Sequence, residues 1–385
     1  MLPIKPTPAL RPRQEPIVPD VADSTRVSVI IPALNEEEMI GRCLGNLAES
    51  HFPASAFEVV LVDNGSTDRT VEVAESFASR LRLTILRRPG VTISALRNLG
   101  AAAAKGNILA FLDADCLVPP NWLELACSNL ASEESGVIGG YIDIPKDSRW
   151  VARAWYRVGY APKNGVVTYV PSGNMLVRRT NFLRIGGFNE ALKTSEDCEL
   201  CFRAREAGMT VRAVAEMVVV HLRTPQTLAQ FYHRERWHGT HVAKVFFANV
   251  RAMANARAVM FAVYVLACEF GIILGLVLVC LSRQFLLLGV SSVAFLAGPL
   301  AIAVRKLKSV HGRQFWLNLF PLTLLHTVWG LARARSLLSI QSIYPRKFQE
   351  ERIARSSHDD SDKTTAVGPR ELSVQCEDHT TSAEL

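Results

Sequence analysis

NILAFLDADC, residues 107–116, decides the fold of this chain. An apolar run from Ile108 to Leu112 passes without a break into Asp113-Ala114-Asp115. So short a run, with no polar residue to meet water, reads as a strand buried on both faces. Two carboxylates at i and i+2 beyond a strand end can turn toward one cation. A hard divalent ion, Mg²⁺ or Mn²⁺, takes oxygen ligands and can bridge to a diphosphate. The same triplet also occurs on ordinary solvated turns. Its position after a buried strand favours the chemical reading.

Upstream, a strand–turn–helix unit repeats. VSVIIPA (27–33) is a buried strand, and NEEEMIGRCLGNLAES (35–50) has helical spacing at Met39, Ile40, Leu44 and Leu47. The acids of that segment fall in the first turn, where the helix dipole favours them. FEVVLVDNG (57–65) is a second strand, and STDRTVEVAESFASRL (66–81) a second helix capped by Ser66 or Thr67. LTILRR (83–88) is a third strand, and ISALRNLGAAAAKG (93–106) a third helix that stops near Gly106. This alternation predicts an α/β fold with a mainly parallel central sheet flanked by helices. Ligands of such sheets gather at the carboxyl ends of the strands. Polar clusters fall there: Asn35 with Glu36, Asp63 with Asn64, and Asp113 with Asp115. Downstream, GVIGGYIDI (136–144) reads as one strand, and VVTYVPSGNMLVRR (166–179) as two strand-like runs about a Gly-Asn turn. TNFLRIGGFNEAL (180–192) gives a helix and loop, SEDCELCFRAREAG (195–208) a helix closed by Gly208, and TVRAVAEMVVVHLR (210–223) further strand.

The 385 residues are 49% hydrophobic and 21% charged, which excludes a wholly disordered chain. The hydrophobicity is uneven: between Ala258 and Val304 the only charges are Glu269 and Arg283. Segments 258–282 and 285–304 are long enough to span a bilayer core of about 30 Å and form a hairpin. Segment 315–332 is interrupted by Asn318, Pro321 and His326, and is either a third span or an interfacial helix. Before them, LAQFYHRERWHGTHVAKVFF (228–247) is a basic, aromatic, amphipathic helix. Arg305, Lys306, Lys308 and Arg313 place their flank in the cytoplasm. The globular domain is therefore expected on the cytoplasmic face of an inner or plasma membrane. A full third span would carry Arg333, Arg335, Arg346 and Lys347 outward, against the charge rule. The net charge of +7 is concentrated beside these segments, where anionic lipid rather than nucleic acid explains it. The eight cysteines show no zinc spacing and suit a reducing compartment; Cys198 and Cys201 read as half-buried residues on one helix face.

Five segments then occur in order: VSVIIPALNEEEMI, VVLVDNGSTDRT, GVTISALRNLGAAAAKGNILAFLDADC, PSGNMLVRRTNFLRIGGFNEAL and SEDCELCFRAREAG. With them the chain resembles the family-2 inverting glycosyltransferases of GT-A fold, over about residues 26–245. Composition and hydropathy set off a disordered Pro-rich arm (1–25), an amphipathic interfacial helix and linker (228–257), a membrane region (258–332) and a polar, partly disordered tail (333–385), and the resemblance makes 26–227 a GT-A catalytic domain. It implies that Pro32, Ala33, Asn35 and Glu36 line the nucleotide pocket, and that Asp63, with Asn64, contacts the base. Arg97 and Asn98 would lie near donor phosphate and sugar, and Gly173 and Asn174 would form a loop beside donor and acceptor. Asp113 and Ala114 would face the ribose, Asp115 and Asp113 would ligate Mn²⁺ or Mg²⁺, and His221 would be a late metal ligand. Asp197 would be the catalytic base with Glu196 supporting it, and Arg236 and Trp237 would lie near pyrophosphate or acceptor. The donor would be a nucleotide-diphosphate sugar, UDP-linked by preference and GDP-linked as the alternative. The acceptor would be a glycan or polyprenyl-linked hydroxyl, beside membrane lipid.

Each site also has a plainer reading. Asp63 and its neighbours suit an Asx turn, the acids at Glu196 suit the helix dipole, and a histidine at a strand end is often structural. Two departures matter. Cys116 stands where many members carry a third acid, so that acid's role is absent. Processive synthases carry Gln-x-x-Arg-Trp, whereas this chain has His233-Arg234-Glu235-Arg236-Trp237, which favours transfer of a single sugar. Among rival classes, a nucleotidyltransferase wants a basic glycine-rich loop after the first strand, and ALNEEE is acidic. A non-catalytic membrane scaffold has no need of Asp113, Asp115 and Asp197 at cleft positions.

Overall fold

The computed structural model describes residues 26–338, apart from 132–135, 159–161, 163, 243–244 and 247–255. The arm expected over 1–25, most of the linker before 256 and the tail beyond 338 lie outside the described residues. The alternating half comprises β1 (Val27–Ala33), α1 (Ile40–Ala48), β2 (Phe57–Asp63), α2 (Thr70–Glu75), β3 (Leu83–Arg87), α3 (Ile93–Ala103) and β4 (Ile108–Leu112). Strands β3-β2-β1-β4 lie side by side, all parallel. Every residue of β1, β2 and β4 is buried. The two-residue period of a strand sends alternate side chains to opposite faces. Val27, Val29 and Ile31 therefore pack with Ile40, Leu44 and Leu47 of α1, while Ile30 packs with Ala101 of α3 and with Phe111.

Two helices are shorter than their periodicity suggests. α1 begins at Ile40, not at 35. The amides of Glu36 and Glu37 donate to Thr70 Oγ1 and Asp68 Oδ2, which holds the three acids in a turn above the sheet edge. α2 covers only Thr70–Glu75 of the expected 66–81. Asp63 accepts from the amides of Gly65 and Ser66, and Asp68 from that of Thr70. Such side-chain-to-backbone bonds compete with helix formation.

The irregular half comprises β5 (Cys116–Leu117), α4 (Trp122–Asn129), β6 (Val137–Gly139), β7 (Ile142–Asp143), α5 (Trp150–Tyr156), β8 (Gly165–Val166), β9 (Asn174–Arg178), α6 (Arg179–Arg184), α7 (Glu196–Glu206), β10 (Val211–Ala213), β11 (Val219–His221) and α8 (Leu228–His238). β9 enters antiparallel between β4 and β6, and completes the order β3-β2-β1-β4-β9-β6-β10-β8. The runs 136–144 and 210–223, each expected as one strand, are both broken in two. Their second pieces join β5 in a small sheet, β5-β11-β7. α8 opens on a capping box of Thr227 and Gln230 and ends at His238 in a 3₁₀ turn, rather than running to 247.

Three further helices, α9 (Ala256–Ser282), α10 (Leu286–Lys306) and α11 (Arg313–Leu338), are long and apolar enough to cross a membrane. α9 and α10 form the expected hairpin, with Gly271 against Ser291 and Gly275 against Leu288. α11 runs unbroken past its polar residues, because those residues bond back to their own helix. Asn318 donates to the Gln314 carbonyl, Thr323 to Leu319 and Thr327 to Thr323, and His326 Nδ1 lies 2.7 Å from the Leu322 carbonyl. Its second half rests on the globular domain: Leu325 packs with Phe231 of α8 and with Val151 and Ala154 of α5.

A β-carbon on Gly275 would stand 2.6 Å from the backbone nitrogen of Leu288, where no side chain can yield. Gly275→Ala is therefore expected to lower stability by about 1–3 kcal/mol, read as a fall in the thermal midpoint in detergent. Gly289→Ala, whose β-carbon would meet nothing within 4 Å, is expected to leave that midpoint in place.

Candidate active site

β4 delivers Asp113 and Asp115 to the crevice, and the turn between β4 and β5 is closed by the Cys116 amide on the Asp113 carbonyl at 3.1 Å. β5 pairs antiparallel with β11, with Cys116 opposite His221. This register brings His221 Nδ1 within 3.3 Å of Asp115 Oδ2. Ligand atoms of Asp113, Cys116 and His221 lie within 4.8 Å of one another. His221 Nδ1 is nonetheless buried without a well-directed hydrogen bond. Burial pushes the His221 pKa down, against the pull of Asp115, and Arg234 and Arg223 push it the same way. The imidazole is thus held neutral, with a lone pair to give. Burial pushes Asp115 up, against His221, and Asp113 adds to the rise. Two carboxylates beside a neutral imidazole with an idle nitrogen fit a divalent cation of Mn²⁺ or Mg²⁺ type.

Arg97 of α3 ties this cluster to α7. Its guanidinium is 1% exposed. Nη2 donates to Asp113 Oδ1 at 2.7 Å and Nη1 to Glu196 Oε1 at 2.8 Å. Ser172 Oγ donates to the same Glu196 oxygen at 3.0 Å. Next to it, Gly173 approaches so closely that a β-carbon would stand 2.9 Å from Asp113 Cγ. Asp197 follows Glu196 in the first turn of α7, directly after Ser195 in the left-handed region (φ 64°). Burial, then the Glu196 charge, raise Asp197 to about 7, while the Cys198 amide and Arg97 oppose the rise. Glu36 is also raised to about 7, by burial and by Asp115, Asp113 and Asp68, although Arg223 lies 3.2 Å away and opposes it.

One cavity of about 1810 Å³ joins these groups. Of the residues expected from the sequence, Pro32, Ala33, Glu36, Asn64, Arg97, Asp113, Ala114, Asp115, Gly173, Glu196, Asp197, His221 and Trp237 are in its wall. Asn35, Asp63, Asn98, Asn174 and Arg236 are not. Asp63 is sealed in the core, and its carboxylate accepts the Gly65 and Ser66 amides, with Arg87 at 3.5 Å. Asn35 accepts from the Thr67 amide, and Asn98 clamps both the amide and the carbonyl of Phe188. Asn174 accepts from Trp122 Nε1 at 3.0 Å and donates to the Met217 carbonyl at 2.6 Å. Ser172, Arg223 and Arg234 also line the cavity. No sequence motif singled out Ser172 or Arg223, whereas Arg234 belonged to the basic face of α8.

A GT-A-type sheet with acids converging at the carboxyl ends of its strands defines a class of sugar-transferring enzymes. The chain belongs to glycosyltransferase family 2: the Glycosyl transferase family 2 model matches residues 28–186, and the Glycosyl transferase family group 2 model matches residues 108–329. It is 32% identical over 209 residues to Glycosyltransferase AglE of Haloferax volcanii, covering 52% of this chain and 67% of that one. It is 24% identical over 250 residues to the uncharacterized glycosyltransferase EpsJ of Bacillus subtilis, covering 60% of this chain and 72% of that one. Among solved structures it is similar in fold to the mannosyltransferase PcManGT from Pyrobaculum calidifontis, solved with GDP-Man and Mn²⁺. That match has a TM-score of 0.52 at 20% identity, over 82% of this chain and 89% of that one.

Arg97→Ala would strand Asp113 and Glu196 as unpaired charges. The expected cost is about 3–5 kcal/mol, measured as a lower thermal midpoint and lost activity together.

Proposed function

We propose that the protein transfers one sugar, with inversion, from a nucleotide-diphosphate sugar to a hydroxyl on a lipid-linked or cell-surface glycan precursor. The observation that carries this reading is that Asp197, raised to about 7, opens into the same cavity as Asp113, Asp115 and His221. UDP is the favoured nucleotide and GDP the alternative. The acceptor oxygen forms a bond to the anomeric carbon as the bond from that carbon to the donor's phosphate oxygen breaks. The hydroxyl proton passes to Asp197, and the departing nucleoside diphosphate keeps the bonding electron pair. A carboxylate with a pKa near 7 is a stronger proton acceptor than an ordinary one, and a substantial share of it is ionised at neutral pH. Glu196, held by Arg97 and Ser172, fixes the turn that presents Asp197. Asp113, Asp115 and His221 are the residues that would hold the cation. When bound, a divalent ion supplies positive charge against the leaving diphosphate. Trp237 offers a flat apolar surface in the cavity wall for a sugar or base.

The membrane helices support a lipid-linked acceptor, because an anchored enzyme meets such a substrate in the plane where both reside. The basic flank from Arg305 to Arg313 supports a cytoplasmic catalytic domain.

Asp197→Asn is expected to lower turnover by about 10²–10⁴-fold. Stabilisation by donor with Mn²⁺, read by thermal shift across a panel of nucleotide sugars, is expected to survive in that variant. Near-normal turnover would remove Asp197 from the mechanism. In the wild type, activity is expected to rise with pH between about 6 and 8, because Asp197 must lose its proton before it can accept one. A flat profile over that window would assign the base elsewhere.

A further inference from the structure

The cavity does not end at the catalytic acids. Its wall continues over Met260, Phe261 and Tyr264 of α9, Ile302 of α10 and Trp329 of α11. Three arginines stand in this membrane-facing part, Arg257, Arg305 and Arg333. Arg333 is 13% exposed; Nη2 is bound to Glu235 Oε2 at 2.7 Å, while Nε and Nη1 are buried with no partner. Among the described residues, Arg257 and Arg305 have no carboxylate within ion-pair distance. Arg234 adds a fourth guanidinium from α8, stacked over the Tyr156 ring at 5.8 Å. The field here is strongly positive. Burial, Arg234 and Arg333 together push His238 down to about 3.

Arg257 and Arg305 are exposed, but Arg333 is a largely buried cation with idle donors beside an aromatic wall, which is costly unless an anion completes it. Guanidinium forks suit phosphate oxygens in particular. The donor's own diphosphate has a separate place, the cation site of Asp113, Asp115 and His221. A second anion is therefore needed, and the walls around it are membrane helices. We infer that Arg257, Arg305 and Arg333 form the docking site for the phosphate or diphosphate ester of a long-chain lipid acceptor, whose chain lies along Met260, Phe261 and Ile302. This inference rests on the transferase reading and names the acceptor's chemical class. The bound ester would hold the lipid's outer end toward Asp197, where the hydroxyl to be glycosylated must stand. An ordinary phospholipid headgroup shares the phosphate chemistry. The site commits to the acceptor, because Arg333 faces inward to the reaction cavity and not outward to bulk lipid.

The test uses full-length protein in nonionic detergent and four probes: farnesyl phosphate, farnesol, inorganic phosphate and phosphatidylglycerol. Farnesyl phosphate is expected to bind at least about tenfold tighter than each of the others, since it alone offers both a terminal phosphate for the guanidinium groups and a single long chain for the apolar wall. Arg257→Ala and Arg305→Ala are each expected to weaken farnesyl phosphate by about tenfold, and Arg305→Lys by less. Binding of UDP or GDP with Mn²⁺ is expected to stay within about twofold of the wild type in all three, since the donor site lies elsewhere. Equal binding of farnesol or of inorganic phosphate would overturn the inference, as would full competition by phosphatidylglycerol or unchanged affinity in the alanine variants. If nucleotide with Mn²⁺ still binds in those cases, the transferase reading stands. If no nucleotide binds the wild type at all, it is that reading that has failed.

Discussion

The Arg97 guanidinium is the constraint on which the site depends. It is enclosed by protein and bonded to two carboxylates that arrive from different parts of the chain, Asp113 after β4 and Glu196 at the start of α7. Without it, those acids would repel each other across the crevice. With it, their separation is set by the width of one guanidinium. A buried ion pair is weak evidence for stability as such, because desolvation offsets most of the Coulomb gain. Its value here is positional. Asp197 is the next residue after Glu196, so the same bond that fixes Glu196 fixes where the proposed base stands relative to Asp113. The Glu196 charge, left only partly neutralised, is also one cause of the raised Asp197 pKa.

The crevice therefore holds acids in different states. Glu196 is paired with Arg97. Asp197, Asp115 and Glu36 are each pushed up, by burial first and by neighbouring acids second. The repulsion has two outlets in the chain itself: Arg223 beside Glu36, and the field of Arg234 that lowers His221 and eases Asp115. Asp115, which among the described residues has no arginine within ion-pair distance, faces His221 beside the Arg97-bound Asp113. A site that accumulates carboxylates and keeps its imidazole neutral is prepared for a cation in a way that a solvated acidic turn is not. The Cys116 sulfur lies near the same point, but burial pushes its thiol well up, so it does not replace the acid that many members carry there.

The parallel half of the fold was legible because its determinants are local. β1, β2 and β4 are short apolar runs, and burial on both faces is what such runs require. The acids at their ends followed from the general geometry of parallel sheets. The shortening of α2 has an equally local cause. Asp63 and Asp68 bond to nearby amides, which shortens α2 and encloses the carboxylate expected at the base. The rest was hidden because it depends on pairing over long distances. The register of Cys116 against His221 spans about a hundred residues and involves strands of two and three residues. No periodicity marks strands so short. Nor could spacing reveal that Arg97 would reach across to Glu196, or that the 136–144 and 210–223 runs would each divide between two sheets.

The charge rule opposed a third span because Arg333 and Arg335 would be carried to the far side. The packing shows where these two arginines go, while Arg346 and Lys347 lie outside the described residues. Arg333 is paired with Glu235 of α8, and Arg335 with Glu269 of α9 at 2.6 Å. The second half of α11 also lies along α8, a polar helix that cannot itself lie in hydrocarbon, with Ser336 against Gly239 just beyond it. Length and composition alone would let α11 cross a bilayer, but its contacts tie that half to the globular domain. The consequence reaches the chemistry. Trp329 and Arg333 line the cavity from this helix, so the helical C-terminal region forms one of the walls of the proposed reaction site and is not only a tether.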